Sequence, residues 1–187
     1  MSTVATNLKY QVYNRRLGLW LFILSESVIF FTLLVTRFYM NGFDRPKEGV
    51  VQALGLAITS VLLLSSFFAN RAETSIVHGD LAAFKLNIIV TIILGAAFLG
   101  FVVMKEWPDA LKHFPPNTAY GTSFFALTGM HAFHVLTGLI MLILVFIQGA
   151  KGKLAEDHWA AEGAIIYWHF VDLVWVFVYP VLYLVGP

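Results

Sequence analysis

Apolar positions along this chain gather into five long runs, at about 17–39, 50–69, 82–104, 122–148 and 163–185. Roughly 20 helical residues cross a hydrocarbon core of about 30 Å, so each run is long enough to span one. The predicted fold class is therefore all-α: a polytopic membrane protein with five transmembrane helices in a bundle, treated as one domain over residues 1–187. Polar and Gly/Pro-containing segments separate the runs, namely Asn41-Gly42-Phe43-Asp44-Arg45-Pro46, Asn70-Arg71-Ala72-Glu73, Trp107-Pro108, Phe114-Pro115-Pro116-Asn117 and Gly149-Ala150-Lys151-Gly152-Lys153. These read as loops. The first run follows Arg15-Arg16, lacks a small-residue cleavage site and exceeds the usual apolar core of a signal peptide, so it is expected to be retained.

Composition sharpens this picture. The chain is 59% hydrophobic, 16% aromatic and 12% charged, about half the charged fraction of a soluble domain. A formal charge of +1 without a long basic run gives no basis for a nucleic-acid partner. The lack of cysteine excludes disulfides, cysteine-ligated zinc, iron–sulfur clusters and thiol chemistry. An odd number of spans places the termini on opposite sides. Lys9, Arg15, Arg16, Arg71, Lys85, Lys151 and Lys153 then share the N-terminal side, against Arg37, Arg45, Lys47, Lys105 and Lys112 on the other. The positive-inside rule predicts a cytoplasmic N-terminus.

Ionisable residues inside apolar runs are the informative exceptions, because they usually pair or face the bundle interior. Near the C-terminus His158, Glu162, His169 and Asp172 fall at offsets of zero, four, eleven and fourteen. If one helix carries them all, they share a stripe roughly 80° wide. His169 and Asp172 are one turn apart, so the carboxylate can hold the imidazole, or both can answer partners on the fourth helix. In the first run Glu26 lies too deep to reach water easily. It reads either as a neutral acid bonded to a neighbouring helix or an enclosed water, or as part of a proton path. In the fourth run His131 and His134 are one turn apart, about 60° around the helix. They read as hydrogen-bonding across the packed fourth and fifth helices, or as ligands of a metal or haem together with His169. Gly129, Ala132 and Gly138, with Gly95, Ala96 and Gly100 in the third run, suggest close backbone approach. Ser25, Ser27 and Ser123 have no spacing that makes a catalytic triad with the histidines.

The strings LFILSESVIFF, FFALTGMHAFHVLTGLI and EGAIIYWHFVDLVWVFVYPVLYLVG resemble subunit III of the haem–copper cytochrome oxidases, in a short five-helix bacterial form. The segment after Gly100, where Glu106-Trp107 follows Lys105, departs from the family pattern. The resemblance implies a non-catalytic core subunit of a proton-pumping respiratory oxidase in the bacterial inner membrane. Haem and copper would belong to the partner subunits I and II, with none bound by this chain. It also implies a V-shaped cleft holding structural phospholipid, and support for subunit I and its proton uptake during oxygen reduction. Glu26 matches the family's buried carboxylate. Glu26, His131, His134, His158, Glu162, His169 and Asp172 are thus expected to be structural or lipid-associated, with no catalytic or metal-binding residue. The alternatives are the equivalent subunit of a quinol oxidase, an accessory protein of nitric oxide reductase, or a free-standing membrane haem protein.

Overall fold

A computed structural model describes residues 2–44, 46, 52–154 and 158–186, the side chains of 2–9 and 11 excepted. Arg45, Lys47, Glu156 and Asp157 lie outside the described residues, as does the start of the second predicted span. Five helical spans are long and apolar enough to cross a membrane, and among the described residues no strand occurs. They are α1 (Ser2–Asn41), α2 (Gln52–Val77), α3 (Leu81–Phe101) continued by a π-helical turn (Val102–Glu106) into α4 (Trp107–His113), α5 (Ala119–Ala150), and α6 (Trp159–Tyr179) ending in a second π-helical turn (Pro180–Leu184).

Two segments expected to be loops are helical. Asn70-Arg71-Ala72-Glu73 lies inside α2, which ends only where Gly79 takes a φ of +78°. None of those four residues breaks a helix, whereas the left-handed conformation at Gly79 is one that glycine alone adopts cheaply. Trp107-Pro108 likewise does not end the third span. The Trp107 amide bonds back to the Val102 carbonyl across a widened turn, and Pro108 opens α4, where the missing N–H is tolerated. Local capping fixes other starts. The Asp80 carboxylate accepts from the Ala83 amide at 2.9 Å, and the Thr118 hydroxyl accepts from the Gly121 amide at 3.0 Å.

α6 is the hub. Within its apolar stretch 61% of residues are buried, against 11% for α1, which packs mainly on α5 and α6 and turns its remaining surface outward. In a membrane, apolar surface gains little from leaving lipid, so close packing and interhelical hydrogen bonds must hold such a bundle together. Two fully buried tryptophans of α6 supply both. Trp168 Nε1 donates to Ser65 Oγ at 3.0 Å, and Trp175 Nε1 donates to Thr59 Oγ1 at 2.9 Å, each tying α6 to α2. The small residues do not simply bring backbones together as expected. A Cβ at Gly95 would stand 2.4 Å from the Trp168 ring, and one at Gly138 would stand 2.8 Å from it. The two glycines of α3 and α5 form a slot for the indole. Gly129 faces open space.

Candidate functional site

Within this frame the ionisable side chains of the spans fall into separate contacts, beginning with α1 and α5. Glu26 Oε2 lies 3.1 Å from His134 Nε2, and His134 Nδ1 lies 2.8 Å from the Met130 carbonyl. A carbonyl only accepts, so Nδ1 carries a proton and donates it. The Nε2–Oε2 contact then needs one further proton between its atoms, on the nitrogen or on the carboxyl. With either placement the pair is neutral overall, which is the state a low-dielectric interior favours. Glu26 therefore bonds a neighbouring helix, as one sequence reading anticipated, and its partner is a histidine that had been expected to face α6.

The ring nitrogens of His131 are buried without a polar partner among the described residues, and the ring stacks on Trp175 with centroids 4.8 Å apart. Phe98 and Phe30 close two further sides edge-on, at 5.7 and 6.5 Å. The expected hydrogen bond across α5 and α6 is thus replaced by an aromatic box in which α1, α3, α5 and α6 each place a ring.

His169 and Asp172 also diverge from the expected pairing. His169 Nδ1 lies 2.6 Å from the Ser66 hydroxyl on α2, so its partner is neither Asp172 nor the fourth span. Asp172 is 3% exposed. Neither of its oxygens has a hydrogen-bond partner among the described residues. The first two members of the predicted stripe lie at the N-terminal end of α6. His158 precedes α6, with Nδ1 against the Leu154 carbonyl, and Glu162 Oε1 forms an ion pair with Arg16 at 2.8 Å, tying α1 to the first turn of α6.

Sequence reasoning missed Ser65, Ser66 and Thr59, the α2 hydroxyls that anchor α6. The signal was present, since Thr59 and Ser66 are seven residues apart and fall on one helical face. It also missed Arg37, counted only among the basic residues on the side opposite the N-terminus. Arg37 is 0% exposed. Its guanidinium donates to the carbonyls of Gly42 and Asp44 at 3.1 and 2.8 Å and lies 5.0 Å over the Tyr120 ring, pinning the end of α1 to α5.

These arrangements do not suit a haem or metal held by His131, His134 and His169. Both nitrogens of His134 and one of His169 are engaged, and rings enclose His131. Among the described residues no three His, Asp or Glu side chains gather closely enough to hold a metal ion. What the polar residues do together is fasten helices to one another.

Comparison with known proteins agrees with the resemblance. A family model described as cytochrome c oxidase subunit III matches residues 5–187. The cytochrome c oxidase subunit 3 of Bacillus subtilis (strain 168) is 32% identical over 183 residues, covering 92% of this chain and 87% of that protein. The quinol oxidase subunit 3 of the same organism is 32% identical over 192 aligned positions, covering 96% and 92%. The cytochrome c oxidase subunit 3 of Hippopotamus amphibius is 34% identical over 181 residues, covering 90% and 68%. The chain belongs to the cytochrome c oxidase subunit III family, the non-catalytic third subunit of haem–copper oxidases.

Proposed function

We propose that this chain packs against oxidase subunits I and II in a bacterial plasma membrane, with its N-terminus cytoplasmic. The haem and copper centres belong to those partners, and this chain holds no redox centre of its own. Its work is mechanical: it keeps the helices of subunit I in place and so supports proton uptake by a proton-pumping complex during turnover. The observation that carries this reading is the use of the polar side chains. Glu26, His134, Ser65, Thr59 and the Nδ1 atom of His169 make contacts between helices, so the chain forms a stiff body. The outward face of α1, with Leu24, Val28 and Val35 exposed, supplies a wall for phospholipid acyl chains in the family's V-shaped cleft. Arg15 stands beside Arg16 near the start of the apolar span that begins at Val12.

Oxidase lacking this chain, compared with the intact complex, tests the reading. The initial rate of oxygen reduction should stay close to that of the intact enzyme, while proton uptake slows and activity decays sooner during sustained turnover. Loss of the haem spectrum or of the initial rate on removing the chain would overturn it. Quinol is a second reading for the electron donor, since relatives named for each donor match at the same 32% identity. Reduction by cytochrome c or by a quinol separates the two.

A further inference from the structure

A groove of about 570 Å³ opens sideways between α1 and α6, lined by Trp20, Phe31, Leu173 and Phe177, with Ser27 and His169 as polar exceptions. His169 stands ten residues into the span that starts at Trp159, about 15 Å along the helix axis, which is close to the middle of a 30 Å core. Its Nδ1 is held by Ser66, and its Nε2 has no hydrogen-bond partner among the described residues. The Ser27 hydroxyl across the groove already donates to the Ile23 carbonyl at 2.7 Å. An oriented imidazole edge therefore meets an apolar groove at a depth no phospholipid headgroup reaches, and an acyl chain has nothing to offer it.

We propose that the groove binds the ring of an isoprenoid quinone or quinol. Such a molecule carries hydrogen-bonding oxygens on a flat apolar ring, with a tail that reaches the bilayer through the open side. The groove volume lies within the usual range for small-molecule sites. Ser66 lets the imidazole serve both oxidation states. When the hydroxyl donates to Nδ1, a neutral ring carries its proton on Nε2 and donates to a quinone carbonyl. When Nδ1 donates to the hydroxyl, Nε2 accepts from a quinol O–H. Binding alone is assigned and no electron transfer, so the proposal does not depend on which donor the oxidase uses.

The test is photolabelling of the complex, purified through a tag on this chain, with an azido derivative of ubiquinone-2, followed by mapping of the modified peptides. Label is expected on the α1 and α6 peptides of this chain and should be displaced by excess ubiquinone-2. Leu173→Trp fills the groove from a side chain that is 56% exposed, so folding is spared while labelling drops about tenfold. His169→Leu keeps the bulk and removes the hydrogen bond, with a loss of roughly three- to tenfold. Label on this chain that both variants leave unchanged, displacement by dioleoylphosphatidylcholine rather than ubiquinone-2, or absence of label from these peptides would each overturn the proposal. Because the readout is a peptide of this chain, a failed oxidase assignment shows separately, as haem-bearing subunits missing from the same preparation.

Discussion

Replacing Gly95 by alanine puts the packing argument at its most exposed point. The new Cβ would stand 2.4 Å from Cη2 and 2.7 Å from Cζ2 of Trp168, and 3.0 Å from Leu139 Cδ2. Carbon atoms prefer separations of about 3.5–4.0 Å, so the indole must retreat by roughly 1 Å. It has little room, because Trp168 is fully buried and the far side of its slot is Gly138, where a Cβ would meet the ring at 2.8 Å. Overpacking of this kind costs about 1–3 kcal/mol. Phenylalanine at 168 lacks the outer ring atoms that collide with residue 95. On its own it loses the bond to Ser65, about 0.6 kcal/mol for an interhelical hydrogen bond in a membrane, together with some packing. The double variant G95A/W168F should therefore be less destabilised than the two single losses added together, by about 1 kcal/mol or more. Resistance of the purified complex to titration with sodium dodecyl sulfate, followed by retention of this chain, measures all three variants. Strict additivity, or a G95A protein as stable as wild type, would refute the slot.

Three further outcomes follow from contacts elsewhere. Glu26→Gln retains a donor for His134 Nε2 and should stay close to wild type in the same titration, whereas Glu26→Leu leaves that nitrogen unpartnered and should cost about 1–3 kcal/mol; equal losses would contradict the proton count between the two residues. Ser65→Ala and Thr59→Val each remove the acceptor of a buried indole and should lower stability by about 0.6 kcal/mol, with an upper bound near 1.7. The Arg16–Glu162 ion pair is partly exposed, with Arg16 55% accessible. Arg16→Ala should therefore change stability by less than about 1 kcal/mol, and by less still when the titration is repeated at high salt.

The five spans were legible because membrane-length apolar runs are a one-dimensional signal, carried by composition and length alone. Their ends were less so. A polar tetrad such as Asn70-Arg71-Ala72-Glu73 is compatible with helix or loop, and only the backbone at Gly79 decides where α2 stops. Sequence spacing placed His169 and Asp172 on neighbouring turns but could not say which helix each would face. Those choices depend on rotation of α6 about its axis, set by where Trp168 and Trp175 find their slots and hydroxyls on α2, α3 and α5. Glu26 and His134 were both singled out, yet their contact joins residues 108 positions apart, which no local periodicity encodes. Short apolar-span hydroxyls such as Ser65 and Thr59 were passed over, because serine and threonine commonly satisfy their own helix carbonyls. Both do so here while also accepting from an indole.

Purification in mild detergent through a tag on this chain, with an absorption spectrum and mass spectrometry of what accompanies it, tests the central claim most directly. Haem bands should arrive with two larger subunits that carry the metal centres, and the same chain should be colourless once separated from them. Haem retained by the isolated chain, or a preparation with no haem-bearing partner, would contradict it.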